Sequence, residues 1–293
     1  MDDGLLESDI VINILKCLEK LRKMSLDSLK TKKERLVSLL KQFEALIVAF
    51  SGGVDSTFLL AVAHETLKKN LVAITAESPV HPARESQAAA AFAQNLGVQH
   101  IVLQSREMSR PDFRANTKDR CYICKKYLLE DLLKIAKDMG IEHVAHGVNV
   151  DDLKDFRPGF AAANEMEVKA PLVDAGLNKD EIRALSKQMN LKTWNKPPMA
   201  CLATRIPYGT PITEKALNMV DQAELAILSL GFTTCRVRLH GNVARIEIDP
   251  VEIERVLEKG NRSAIIGKLR EIGLFYVALD MEGYQQGSMN RVL

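Results

Sequence analysis

Apolar and polar positions change period along this chain, and the changes divide it. Up to about residue 40, Val11, Ile14, Leu15, Leu18 and Leu21 recur at helical spacing among Lys and Glu. That pattern predicts a helical N-terminal extension over 1–40, an appendage or a packing arm. From Leu46 to about Pro171, short apolar runs alternate with longer amphipathic stretches. Leu46–Phe50, Leu71–Ala76, His100–Gln104 and His143–Gly147 predict strands. Thr57–Lys69, Ala83–Leu96 and Tyr122–Met139 predict helices, the last two stopped by Gly97 and Gly140. Such alternation implies an α/β domain with a doubly wound parallel sheet, helices on both faces. Lys179–Met189 reads as a further helix, with Asn178 and Glu181 spaced as a capping box.

A proline-rich loop, Trp194–Gly209, breaks the rhythm. Beyond it Thr213–Leu230 predicts a long helix closed by Gly231. Thr233–Leu239 and Val243–Asp249 predict two strands joined across Gly241-Asn242, a hairpin signature. Asp249–Glu252 caps another helix and Leu274–Asp280 closes as a strand. The expected organisation is an extension over 1–40, an α/β domain over 41–200 and a small α+β domain over 201–293.

A chain of 293 residues can bury a sizeable core, and 46% hydrophobic with 27% charged residues is ordinary for a globular protein. No apolar run approaches the length of a membrane span, and Met1-Asp-Asp-Gly lacks the start of a signal peptide. The expectation is a cytoplasmic protein with no membrane partner. A net charge of +2 without a basic tail argues against a large nucleic-acid partner. Five cysteines in such a protein are more readily free, metal-bound or catalytic than disulfide-paired.

The densest chemistry lies at Ser51-Gly-Gly-Val-Asp-Ser56, directly after the first strand. Gly52 and Gly53 are expected to allow dihedrals closed to other residues and close approach of an anion. The following helix offers unpaired N–H groups and its positive end, and Ser51 and Ser56 add hydroxyl donors. Asp55 makes sense if a divalent cation travels with the anion. The segment lacks the Gly-Lys-Ser/Thr ending of a Walker loop and is not a GxGxxG dinucleotide turn. Asp151 and Asp152, after the fourth strand, fall at the carboxyl end of the sheet, where ligands bind in open α/β folds, and are candidates for Mg2+.

Cys121 and Cys124 are spaced i, i+3 at a helix start, so both sulfurs share one face. The helix terminus and the flanking Arg120, Lys125 and Lys126 favour thiolate. A redox couple, a zinc knuckle and an iron–sulfur site all use such a pair. With Cys201 as a third thiol and no fourth, the set suits a cubane with one open iron. Cys17 and Cys235 read as small core residues, and His146 and Trp194 as packing residues. Arg236 and Arg238, i and i+2 on one strand, share a face and suit a substrate carrying phosphate and carboxylates.

SGGVDS resembles the pyrophosphate loop (PP-loop) of the N-type ATP pyrophosphatases, which split ATP into AMP and pyrophosphate. The wider set resembles one family within them, the LarE-type ATP-dependent sulfur transferases of nickel-pincer nucleotide synthesis. The matching pieces are Arg120–Lys126, His146–Asp152, Phe156-Arg-Pro-Gly159, Ala200–Gly209, Arg236-Val-Arg238 and Glu282-Gly-Tyr284. They run from about residue 30 to the C-terminus, and the Cys-Leu-x-x-Arg-Ile-Pro-Tyr-Gly loop is the family-specific part.

The resemblance implies a PP-loop ATP pyrophosphatase domain followed by a small sulfur-transfer domain. It implies that a carboxylate of a pyridinium dicarboxylate mononucleotide is adenylated and that sulfur then replaces AMP. In one branch the sulfur is that of a cysteine at the position of Cys201. In another, cysteines at Cys121, Cys124 and Cys201 hold a 4Fe–4S cluster with an exchangeable sulfide; this chain has all three. Carried over, Ser51, Gly52, Gly53, Asp55, Ser56, Thr75, Gly147 and Arg205 serve ATP and pyrophosphate. Lys125, Lys126, Glu224, Arg236 and Arg238 serve the substrate. ATP, Mg2+ and the cluster are the implied cofactors, a sulfide source and a homo-oligomer the implied partners. A tRNA thiolase, with a basic surface and often paired zinc knuckles, and a regulatory module that holds ATP intact are the competing readings. No glutaminase domain fits before the loop.

Overall fold

The computed structural model describes residues 27–154, 158–198, 200–285 and 287–292. The expected helices around Val11–Leu21, Cys17, and the pair Phe156-Arg157 lie outside the described residues.

Strands β1 (Leu46–Ala49), β2 (Leu71–Glu77), β3 (Gln99–Gln104) and β4 (His143–His146) form a four-stranded sheet in the order β3-β2-β1-β4, every pair parallel. Their connections are helical: α1 (27–40) precedes β1, α2 (Val54–Leu67) follows it, and α3 (Ala83–Leu96) joins β2 to β3. The short α4 (Pro111–Arg114) and the long α5 (Arg120–Asp138) lead to β4. Then come α6 (Pro158–Glu165), α7 (Pro171–Asp174) and α8 (Lys179–Gln188).

Alternation along the strands sorts side chains to two faces. Leu46, Val48, Leu71, Ala73 and Ala145 join α1, α2, α3 and α8 in one core. Ile47, Val72, Ile74 and Val144 meet α5 and α6 in another. Each large aliphatic side chain so buried contributes about 1.5–3 kcal/mol. The sheet is doubly wound, as the alternation of elements predicts.

The described part of the N-terminal extension is not an appendage. Leu36 and Leu40 are fully buried against α2, and Lys32 Nζ reaches Glu181 Oε1 at 2.7 Å. Glu181 also completes the capping box of α8: its N–H donates to Asn178 Oδ1 at 2.9 Å, and its carboxylate accepts from Asn178 N–H at 3.0 Å.

Past the proline-rich loop, α9 (Glu214–Leu228), α10 (Ile253–Leu257) and α11 (Lys259–Glu271) cover one small sheet. Its strands β5 (Cys235–His240), β6 (Val243–Ile248) and β7 (Tyr276–Leu279) run in that order, β5–β6 antiparallel and β6–β7 parallel. Cys235 is buried in this core, as expected of it. A fourth cluster joins Val80 and Phe113 to Leu202, Ile206, Ile212, Leu217 and Val220. It draws on both sides of the expected boundary near residue 200.

Candidate active site

β1 ends at Ala49 and α2 begins at Val54, so the phosphate loop spans the gap at the carboxyl end of the sheet. Gly52 has φ +69°, and a Cβ there would meet Ala89 Cβ at 3.1 Å. Gly53 does not need its freedom: it lies extended at φ −78°, ψ 170°. The two serines brace the loop. Their hydroxyls are 3.0 Å apart, and Ser56 Oγ also accepts from Ser51 N–H at 3.3 Å.

The loop borders a cavity of about 1030 Å³. Thr75 lines it while donating its hydroxyl to Phe50 O at 2.7 Å. Gly147 lines it too, and lies so near α2 that a Cβ would stand 2.7 Å from Ser56 N.

Asp55 reaches the cavity with its Oδ2 2.6 Å from Lys179 Nζ. Its Oδ1 is buried with no hydrogen bond of good geometry, although the Asn149 amide is near enough to favour the ionised form. Burial pushes the Asp55 carboxyl above its usual range, Lys179 pulls against that, and the charge of Asp152 adds to it. Asp151 and Asp152 also line the cavity. Asp152 Oδ2 accepts from Asn149 N–H at 3.0 Å, and Asp151 Oδ2 accepts from Lys179 N–H at 3.0 Å. A buried, half-satisfied carboxylate beside a second carboxylate fits a divalent cation.

The three cysteines meet at the same cavity. Cys121 and Cys124 come from the first turns of α5, Cys201 from the loop just before a 3-10 turn at Leu202–Arg205. All three are free thiols. Here the expectation of easy thiolates is corrected. Burial pushes the Cys124 thiol well up, and the neighbouring Cys201, Glu107 and Cys121 push further. Burial and Cys121 likewise raise Cys201, against the pull of Arg120 and Arg205. The flanking cations do not offset this: Lys126 faces solvent, Arg120 donates to Asn116 Oδ1 and to Ala203 O, and the pull of Lys125 on Cys124 is the smallest of the influences on that thiol.

Thiols that sense one another in a desolvated wall are what a bound metal would relieve, by taking the place of their protons. Among the described residues no three His, Cys, Asp or Glu side chains are gathered around one ion. Three thiols on one cavity wall are a donor set of the kind an iron–sulfur cluster would take.

Several expected ligands do not reach the cavity. Arg205 is 1% exposed and is locked fork to carboxylate on Glu224, Nε–Oε1 2.8 Å and Nη2–Oε2 3.0 Å. Glu224, 2% exposed, also accepts from Val237 N–H at 3.1 Å. Arg236 and Arg238 do share a face, but that face meets the cysteine loop. Arg236 donates to Pro198 O at 3.1 Å, and Arg238 to Thr204 O at 3.1 Å and Glu247 Oε2 at 2.7 Å. Lys125 does line the cavity, its ammonium desolvated.

Other residues there escaped the sequence reading. His146 is buried, as a packing residue would be, yet it lines the cavity and neither ring nitrogen has a hydrogen-bond partner. Burial, helped by Lys125, drops its pKa to about 3. Lys179, Arg183 and Lys196 line the cavity as well. Lys179 carried a signal, because a cation in the first turn of a helix opposes the macrodipole and needs a local anion.

The asparagine synthase family model matches residues 36–126, from α1 into the start of α5. An uncharacterized protein of Synechocystis is 40% identical over 265 residues, 90% of this chain and 99% of that protein. Pyridinium-3,5-bisthiocarboxylic acid mononucleotide synthase of Lactiplantibacillus plantarum is 36% identical over 267 residues, 91% of this chain and 96% of that enzyme. A tRNA-specific 2-thiouridylase of Rickettsia africae is 25% identical over 55% of this chain. The match to the Lactiplantibacillus enzyme runs through both the phosphate loop and the smaller domain, and the chain belongs to its family, the LarE-type ATP-dependent sulfur transferases on the PP-loop ATP pyrophosphatase fold.

Proposed function

We propose that this enzyme adenylates a carboxylate of a pyridinium dicarboxylate mononucleotide and then replaces AMP with sulfur, giving a thiocarboxylate for nickel-pincer nucleotide synthesis. The observation that carries the reading is that Cys121, Cys124 and Cys201 line the same cavity as Ser51, Gly53 and Asp55. Activation and sulfur delivery therefore share one chamber.

In the first step a carboxylate oxygen of the substrate attacks the α-phosphorus of ATP, and pyrophosphate leaves with the bonding pair. The phosphate loop and the N–H groups opening α2 receive the phosphates. Asp55, with Asp152 beside it, would hold Mg2+, which would supply positive charge at the leaving pyrophosphate. In the second step sulfur attacks the acyl carbon and AMP departs. Cys121, Cys124 and Cys201 would hold a 4Fe–4S cluster, which supplies an open iron for an exchangeable sulfide delivered by a sulfide source. Lys125, desolvated between the thiols and His146, is placed to meet an anionic group of the substrate. Arg205, Glu224, Arg236 and Arg238 act indirectly, by fixing the Cys201 loop.

The test is native mass spectrometry of protein purified without oxygen, together with turnover on the pyridinium mononucleotide with ATP and sulfide. A 4Fe–4S mass increment lost in Cys121→Ser, with repeated turnover in the parent, is the expected result. A bare chain that turns over once and converts Cys201 to dehydroalanine overturns the cluster and makes Cys201 the sacrificial donor. Sulfur gained by tRNA and not by the mononucleotide overturns the substrate.

A further inference from the structure

We propose that Lys196 is a phosphate-binding residue that ties occupancy of the nucleotide site to the placement of Cys201. The inference rests on the reading that the phosphate loop takes ATP.

The loop from Trp194 to Thr204 is held by its carbonyls. Arg183 donates to Lys196 O at 3.1 Å, Arg236 to Pro198 O at 3.1 Å, and Arg205 to Ala200 O at 2.8 Å and Cys201 O at 3.1 Å. Arg120 and Arg238 continue the series at Ala203 O and Thr204 O. These grips fix the backbone but leave the Lys196 side chain to act alone, and it points the other way. Its Nζ donates to Gly52 O at 3.0 Å, inside the phosphate loop, and to Glu85 Oε2 at 2.6 Å in the first turn of α3.

The pair is poised for exchange. An ammonium carries three donors and no acceptor, so Lys196 can keep Gly52 O and still turn a proton toward a phosphate oxygen. A triphosphate arriving at the loop brings several negative charges beside Glu85 and competes with that carboxylate for the same cation. Lys196 and Glu85 both line the cavity and are shielded, with side chains 22% and 20% exposed, so the competition is not lost to solvent.

Pro197 and Pro198 follow Lys196 directly, and their fixed φ angles stiffen the backbone just after it. A chemistry that needs sulfur only after AMP is attached gains from such a link: with phosphates in place Lys196 joins the nucleotide to the gripped loop that carries Cys201, and pyrophosphate release returns the ammonium to Glu85.

The chain provides its own reporter, since its single tryptophan, Trp194, opens the loop two residues before Lys196. Full-length protein is titrated with a non-hydrolysable ATP analogue and Mg2+, following Trp194 emission and, separately, heat of binding. The parent is expected to show saturable emission change. Lys196→Met is expected to bind about tenfold or more weakly, the loss of one charge-assisted hydrogen bond, with no emission change at saturation. Glu85→Gln, which frees the ammonium, is expected to keep the emission change and bind more tightly. An unchanged emission response in Lys196→Met overturns the proposal, as does heat of binding without emission change in the parent. Absence of any heat in the parent overturns the ATP reading itself.

Discussion

Arg205 and Glu224 face each other fork to carboxylate in the core, Nε–Oε1 at 2.8 Å, while Nη1 of the same guanidinium holds Cys201 O at 3.1 Å. One buried pair thus supports the backbone at Cys201. Arg205→Met strands a buried carboxylate and is expected to cost about 3–5 kcal/mol. Adding Glu224→Leu to it should recover part of that stability, leaving the lost grip on the loop and the Val237 N–H without its acceptor. Urea unfolding of the single and double variants measures both; equal stability of the parent and Arg205→Met would show the pair to be inert.

Gly147→Ala should disturb the nucleotide site without touching a ligand. Its Cβ would stand 2.7 Å from Ser56 N and 2.9 Å from Ser56 Cα, so the first turn of α2 must move away from β4. Overpacking of this kind costs about 1–3 kcal/mol. The expected result is a lowered melting temperature together with a weakened affinity for ATP, read by calorimetry. Parent-like affinity would mean that β4 gives way instead of the loop.

His146 predicts the shape of the acid limb. Its folded pKa is near 3, against 6.5 for a free imidazole, so between those values the unfolded chain binds the extra proton. Its contribution to stability is complete above pH 6.5 and is lost as pH falls through that window, at up to about 1.4 kcal/mol per pH unit. His146→Phe removes the titration and should flatten the fall in stability between pH 6 and 4. Parallel curves for the two proteins would contradict the burial of a neutral imidazole.

Asp55→Asn trades activity for stability. Because burial raises the folded pKa of Asp55, its ionised form is what the fold tolerates poorly at neutral pH, and a neutral amide relieves that. The contribution of the protonated acid is present at low pH and lost as pH rises through the folded pKa. The variant is expected to unfold at a higher temperature at pH 7, by about 1 kcal/mol, and to lose substrate-stimulated ATP–pyrophosphate exchange by at least about 100-fold. Exchange at the parent rate would remove Asp55 from the cation seat.

Local chemistry was legible where it is decided locally. The limits of α3 at Ala83 and Leu96, the capping box at Asn178 and Glu181, and the strand–loop–helix around Ser51 all depend on near neighbours in sequence. What could not be read is where a long cation ends. Arg205, Arg236 and Arg238 have the charge of ligands, but carbonyls of the Cys201 loop and the carboxylates of Glu224 and Glu247 take them first. The same holds in reverse for Lys179 and Lys196, which meet Asp55 and Glu85 only once the chain has folded. His146 belongs to both cases, buried as expected and still facing the chamber.

The cluster of Val80 and Phe113 with Leu202, Ile206 and Leu217 also sets a timetable. Contacts between residues this far apart in sequence form late, after the local elements that bear them. Cys121 and Cys124 need only α5 on its sheet, whereas the place of Cys201 depends on Leu202 N–H docking on Val80 O at 2.7 Å and on α9 packing in the same cluster. A chain cut near residue 200 would keep two of the three thiols and lose the wall that brings the third to them, so the chamber is complete only when both parts of the chain have packed together.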